Sequence, residues 1–161
     1  MEEAVVSAIT DDTSEAKITV GGVPDRPGVA ARLFRELASR GINVDMIVQN
    51  TGTNGMTDIS FTVAKTDLDV ARDACNTVKD DIGAAEVTTD DNIGRVTIVG
   101  AGMKSSPGVT ALMFETLYQH GINIEMISTS SIRISCVLRA DKVAEAVRYL
   151  HTAFGLDAIE F

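Results

Sequence analysis

"PGVAARLFRELASRGINVDMI" occupies residues 27–47, and "PGVTALMFETLYQHGINIEMI" occupies residues 107–127, eighty positions later. Eleven of the 21 aligned positions are identical, and most of the others keep their apolar or polar character. A chain of 161 residues can form one domain or two small ones. The repeat therefore predicts two copies of one structural unit.

The first copy alternates strand and helix patterns. The β-branched run "AKITVGGV" predicts a strand, and "PDRPG" a turn into a helix from Pro27 to Gly41. The apolar face of this helix recurs at helical spacing: Ala30, Leu33, Phe34 and Leu37. Two strands follow, "INVDMIVQN" and "MTDISFTVAK", then a helix with a Thr66–Asp69 capping box and the strand "AAEVTTDD".

The second copy repeats this order, with a helix from Pro107 to His120, another from Asp141, and "LDAIEF" as its last strand. Each copy reads βαββαβ, which predicts an α+β fold of two ferredoxin-like domains, residues 17–93 and 94–161. Their antiparallel sheets carry the helices on one face. The remaining segment, residues 1–16, predicts an extra strand that pairs with one of the two sheets. Two such small units can stabilise each other.

Composition excludes several classes of partner. The net charge is −9 without a basic cluster, and aromatic residues make up only 4%, so we expect no nucleic-acid binding. No apolar run reaches the ~18 to 20 residues of a membrane span, and the acidic start does not resemble a signal peptide. We expect a cytoplasmic protein with two buried free thiols, Cys75 and Cys136.

Motifs for catalysis are incomplete. In "GAGMKSSPG", residues 100–108, Met103 interrupts the phosphate-loop pattern, and Ser105 stands where a dinucleotide fingerprint requires glycine. The histidines, His120 and His151, have no cysteine pair nearby, so no metal site is expected. We expect no cofactor and no catalytic residue in this chain.

The two helix starts remain as candidate binding sites. Backbone N–H groups at residues 28–30 and 108–110 lie at the positive end of a helix dipole, which suits a small carboxylate. Glycine at each start permits close approach of a ligand. A plain helix cap explains the same residues, and the pattern by itself leaves both interpretations open.

The motifs "GVPDRPGVAARLF", "GINVDMIVQN", "VGAGMKSSPGVTA" and "GINIEMISTSSIRIS" resemble the regulatory region of aspartate kinase over essentially the whole chain. That region is a pair of ACT domains, which bind amino acids. The resemblance implies a non-catalytic regulatory (beta) subunit that mediates feedback inhibition by threonine, with lysine as a second candidate. It also implies a homodimer through the ACT domains, association with the catalytic subunit, and a place for strand 1–16 in the second domain.

The resemblance also implies two effector sites. The first-domain residues, expected to bind threonine, are Asp25, Gly28, Val29, Ala30, Asn43, Val44, Asp45, Gln49 and Asn50. The second-domain residues are Met103, Ser105, Ser106, Val109, Thr110, Asn123, Ile124, Glu125, Thr129 and Ser130. Ser131 stands where the family usually has glutamate, which weakens the case for lysine although Glu125 is nearby.

Two rival classes stay open at this point. One is an ACT-type regulator of another biosynthetic enzyme, such as acetolactate synthase, which "MISTSSIRIS" fits less well. The other is an enzyme whose "GAGMKS" loop handles phosphate.

Overall fold

The computed structural model describes residues 5–52, 54–101 and 107–156. The strands, in chain order, are β1 (Val5–Asp12), β2 (Glu15–Pro24), β3 (Ile47–Thr51), β4 (Met56–Ala64), β5 (Glu86–Asp90), β6 (Ile93–Ala101), β7 (Met126–Thr129) and β8 (Arg133–Arg139). The α-helices are α1 (Val29–Ser39), α2 (Leu68–Val78), α3 (Pro107–Gln119) and α4 (Val143–Ala153). Short 3-10 turns, Lys65–Asp67 and Ala140–Lys142, lead into α2 and α4.

The chain divides into two compact units. The first unit is Ser14–Asp91, and the second unit combines Met1–Thr13 with Asn92–Phe161. Each has a four-stranded antiparallel sheet, in the order β3-β4-β2-β5 in the first unit and β1-β6-β8-β7 in the second. The predicted α+β fold with two ferredoxin-like sheets is confirmed.

Alternation along the strands places the core of the first unit on one face of its sheet. Every second residue of β4 from Ile59 to Val63 is buried, as are Ile18 and Val20 of β2. The helices cover this face with buried residues at helical spacing: Leu33 and Leu37 from α1, and Ala71, Ala74, Cys75 and Val78 from α2. The second unit repeats the arrangement with Val96, Ile98, Cys136 and Leu138 under α3 and α4.

The amino-terminal strand completes the second sheet. β1 pairs antiparallel with β6, in the place that β5 fills beside β2 in the first unit. The other neighbour of β6 is β8. The predicted last strand, "LDAIEF", falls almost entirely on residues outside the described part of the chain.

Three local predictions were wrong. The strands expected from residues 42 and 122 begin only at Ile47 and Met126. In the first unit β3 starts late because the pairing before Ile47 is irregular. Thr62 O accepts from Asp45 N, and Thr62 Oγ1 accepts from Met46 N, both at 3.0 Å.

The Thr66–Asp69 capping box does not form. The 3-10 turn starts at Lys65, whose N–H donates to Ser14 O at 2.9 Å, and Asp69 pairs instead with Arg72. Ala30, predicted to be in the core, is exposed, and Val29 is buried in its place.

Candidate functional site

A cavity of about 320 Å³ opens in the first unit where the β2–α1 loop meets the end of the sheet. Its lining residues come from this loop, from β3 and from β4: Pro24, Asp25, Arg26, Pro27, Gly28, Val29, Ala30, Gln49, Thr57 and Ile59. Among the lining residues, Asp25 and Arg26 supply one acidic and one basic group, Gln49 supplies an amide, and Thr57 supplies a hydroxyl. Such a lining suits a small molecule that carries both charges.

The start of α1 forms one side of this cavity. Gly28 is the N-cap residue and has a left-handed backbone (φ +91°), a conformation that glycine adopts without steric cost. No side chain caps the helix, and the first i to i−4 bond runs from Arg32 N to Gly28 O at 2.9 Å. The N–H groups of residues 29–31 precede that bond and have no helix carbonyl as acceptor. The cavity therefore borders an electropositive helix end.

The hairpin between β3 and β4 fixes the opposite side. Asp25 N donates to Gly55 O at 2.9 Å, which ties the β2–α1 loop to this hairpin. Thr57 is only 3% exposed, and its Oγ1 donates to the carbonyl of Asn50 at 2.9 Å. Because the hydroxyl proton of Thr57 is donated to Asn50, its oxygen can act only as a hydrogen-bond acceptor toward a molecule in the cavity.

Sequence reasoning missed Thr57. It lies on the same face of β4 as Ile59, Phe61 and Val63, so a polar residue continues a run of core positions. A buried hydroxyl needs a hydrogen-bonding partner, and such a break in an apolar face is the signal that identifies it.

The cavity brings together five of the nine residues predicted for the first domain: Asp25, Gly28, Val29, Ala30 and Gln49. Asn43, Val44 and Asp45 lie before β3, and Asp45 bonds to the backbone of Thr62. Thr62 is five residues from Thr57 along β4, or about 17 Å. Asn50 contributes its carbonyl to Thr57, and it does not line the cavity.

In the second unit the predicted residues also fall at two ends of the sheet. Val109 and Thr110 are half-buried in the first turn of α3, and Thr129 and Ser130 lie at the β7–β8 turn. Ser130 Oγ accepts from Ile132 N and Arg133 N, so this hydroxyl shapes the turn.

Asn123, Ile124 and Glu125 precede β7 at its other end. Met103, Ser105 and Ser106 lie outside the described residues.

The described part of the chain offers few groups for nucleophilic catalysis or metal binding. Burial raises the pKa of Cys75 to about 11 and that of Cys136 to about 12, so both thiols stay protonated. Within residues 5–52, 54–101 and 107–156, no group of three or more His, Cys, Asp or Glu side chains is placed to hold a metal ion. No helix described by the structure is long and apolar enough to cross a membrane.

Residues 18–78 and 96–154 each match the family model of the ACT domain. The fold and the cavity at the first helix start thus belong to a protein with two ACT domains in tandem. The aspartokinase of Mycolicibacterium smegmatis is 47% identical over 158 residues, and the aspartate kinase of Pseudomonas putida is 46% identical over 158 residues. These matches cover 97% and 98% of this chain, which spans 38% of the length of each relative.

Two solved structures show which part of aspartate kinase the chain resembles. A chain in the crystal structure of aspartokinase alpha and beta subunits is similar with a TM-score of 0.89 and 44% identity, covering 94% of this chain and 99% of that one. The ligand-free regulatory subunit of aspartate kinase from Thermus thermophilus gives a TM-score of 0.89 and 41% identity, over 93% and 99% of the two chains. The chain belongs to the family of aspartokinase regulatory regions, and the resemblance seen in its motifs is confirmed.

Proposed function

We propose that this chain senses an end-product amino acid, foremost threonine, and mediates feedback inhibition of aspartate kinase. The observation that carries the proposal is the first-unit cavity, in which a helix start, Asp25, Gln49 and Thr57 converge. Because the chain belongs to the family of aspartokinase regulatory regions, aspartate kinase is the enzyme that we propose this sensor regulates.

The chemistry of the cavity fits threonine group by group. The N–H groups at the start of α1, together with Arg26, suit the α-carboxylate. Asp25 suits the ammonium group. Gln49 and the acceptor oxygen of Thr57 suit the side-chain hydroxyl, and Ile59 offers an apolar surface to the methyl group.

We also propose that a homodimer completes the site. β3 and β7 are edge strands, and they carry exposed isoleucines at equivalent positions, Ile47 (54%) and Ile127 (43%). An exposed apolar edge favours pairing with another chain. An antiparallel pairing that places Asn123 of the partner subunit opposite Gln49 sets β3 against residues 121–125 of the second copy and β7 against residues 43–46, so it extends into the segments that precede both strands.

In this proposal the phosphorylation of aspartate by ATP belongs to the whole enzyme, and the chain contributes only the response to the effector. A regulator of another enzyme, such as acetolactate synthase, would use the same fold with a different amino acid.

Calorimetry on the purified chain tests these alternatives directly. We expect saturable heat with threonine and none with valine or ATP. Binding of valine in place of threonine would indicate the acetolactate-synthase type of regulator, and turnover of ATP with aspartate by this chain alone would indicate an enzyme.

Two substitutions test the cavity itself. A lost hydrogen bond to a charged group costs roughly 1.5 to 3 kcal/mol, so Gln49→Ala and Asp25→Ala should each weaken threonine at least ~10-fold. Gln119→Ala, at the exposed end of α3, is the matched control and should bind threonine like the wild type. Unchanged affinity in both cavity variants, with intact circular dichroism, would place the site elsewhere.

A further inference from the structure

Strand β2 contains a bulge shortly before the β2–α1 loop. Gly21 and Gly22 together lie opposite the single residue Asp58 of β4, and regular pairing then resumes. The extra residue shifts the alternation of β2 by one position, so that Val20 and Val23 are both buried. The bulge therefore sets the phase in which the chain leaves the sheet and enters the loop that lines the first-unit cavity.

Asp58 satisfies the backbone at this bulge. Gly22 N donates to Asp58 Oδ1 at 2.9 Å, so a side chain takes the place of a carbonyl of the neighbouring strand. On the other side, Ala85 N donates to Gly21 O at 2.9 Å. The conformation requires glycine, because Gly22 has φ +63° and a methyl group there would lie 2.7 Å from Ala85 Cβ. The bulge is thus held from both sides.

The second copy keeps regular pairing at the equivalent position. The strand registers align Gly22 with Gly100, and Asp58 with Arg133. Gly100 N donates to the backbone carbonyl of Ile132 at 3.0 Å, as in an unbroken antiparallel ladder. A guanidinium group has no acceptor, so Arg133 could not replace that carbonyl. The side-chain acceptor is therefore a feature of the first copy, whose helix start borders the first-unit cavity.

Asp58 itself lies outside this cavity. Its neighbours along β4, Thr57 and Ile59, line the cavity, and strand alternation directs the exposed Asp58 side chain to the opposite face of the sheet. An effect of Asp58 on a bound molecule therefore passes through Gly22 and the loop that begins at Asp25.

We propose that Asp58 is a positioning residue of the first-unit cavity, which holds the β2 bulge at Gly22 and thereby fixes Asp25 and the start of α1. The inference rests on the proposed amino-acid-sensing function and adds a residue that the ligand does not touch. A hydrogen bond to a charged group shifts an equilibrium by a factor of about 10 or more. Because apparent affinity falls with the fraction of chains whose loop is competent to bind, loss of the Asp58 acceptor should weaken threonine at least ~5-fold.

Calorimetry with threonine, on the full chain and three variants, tests the proposal. Asp58→Ala removes the acceptor and should show the ~5-fold loss, whereas Asp58→Asn keeps an acceptor oxygen and should stay within about 3-fold of the wild type. Asp80→Ala is the matched control, because it removes the same charge from an exposed position after α2 and should bind threonine like the wild type.

Amide hydrogen exchange gives a second readout in the absence of threonine. Because the hydrogen bond forms within the chain itself, the Gly22 amide of the wild type should exchange at least ~10-fold more slowly than that of a free peptide. Asp58→Asn should keep this protection, and Asp58→Ala should lose it.

Each other outcome overturns a defined statement. Unchanged threonine affinity in folded Asp58→Ala, or an equal loss in Asp80→Ala, overturns the positioning role while the proposed function stands. Asp58→Asn as weak as Asp58→Ala overturns it too, because the carboxylate charge would then act on the ligand directly. A Gly22 amide that exchanges like a free peptide in the wild type overturns it even if Asp58→Ala does not fold. Binding of threonine by no form of the chain, the wild type included, overturns the proposed function as well.

Discussion

Gly94 of β6 allows α4 to pack directly on the second sheet. A methyl group at this position would overlap the Val143 Cγ2 atom of α4 and lie 3.1 Å from Thr13 Cγ2. The equivalent residue of the first unit is Ala16, which is fully buried, and the helix residue equivalent to Val143 is Leu68. At this contact between helix and sheet the first unit therefore has Ala16 and Leu68, and the second unit has Gly94 and Val143.

We predict that Gly94→Ala destabilises the second unit. Replacing glycine by alanine within a strand usually gains about 0.5 to 1 kcal/mol, whereas overpacking a core costs typically about 1 to 3 kcal/mol. Because Val143 is branched at Cβ and held in the core, we expect the overlap to dominate. The net loss should be about 1 to 2 kcal/mol of unfolding free energy.

Urea unfolding followed by tyrosine fluorescence measures this loss. The chain has two tyrosines and no tryptophan, and both Tyr118 and Tyr149 belong to the second unit. The signal therefore reports on the unit that carries the substitution. Gly108→Ala in α3 is the control, because a methyl group there meets no atom within 4 Å and alanine favours a helix.

A second substitution identifies the cause. Val143→Ala removes the atom that the new methyl group meets, so Gly94→Ala should cost at least ~1 kcal/mol less in that background. Additive effects of the two substitutions, or a Gly94→Ala variant as stable as the wild type, would refute the packing argument.

Three further outcomes are expected. Arg40 hydrogen-bonds to Glu36 and holds the pKa of that carboxyl below its ordinary value, so the pair stabilises the fold at neutral pH and is lost as the pH falls through the lowered pKa. Arg40→Met should raise the Glu36 pKa in a carboxyl NMR titration, and an unchanged value would contradict this. Cys75 and Cys136 should not react with dithionitrobenzoate at about pH 8 until urea unfolds the chain, and reaction of the native protein would contradict their burial. Sedimentation should show a dimer that Ile127→Glu weakens, whereas a monomeric wild type at tens of micromolar with threonine present would speak against edge pairing.

The sequence by itself determined the architecture. A repeat of 21 residues, period-two strands and helical apolar faces specify two α+β units, each with an antiparallel sheet and two helices, since these patterns follow from which side of each element meets the core. The motifs also determined the family. Burial of both cysteines followed from their apolar surroundings.

Only the tertiary structure decided how the binding residues group. Thr57 joins Asp25 and Gln49 because strand register brings the start of β4 beside a loop some thirty residues earlier, and no local pattern encodes that proximity. Register likewise places Arg139 beside Glu125 and sets β1 next to β6. Local sequence fixes which face of an element is apolar, whereas the partners of each polar group depend on contacts between segments far apart in the chain.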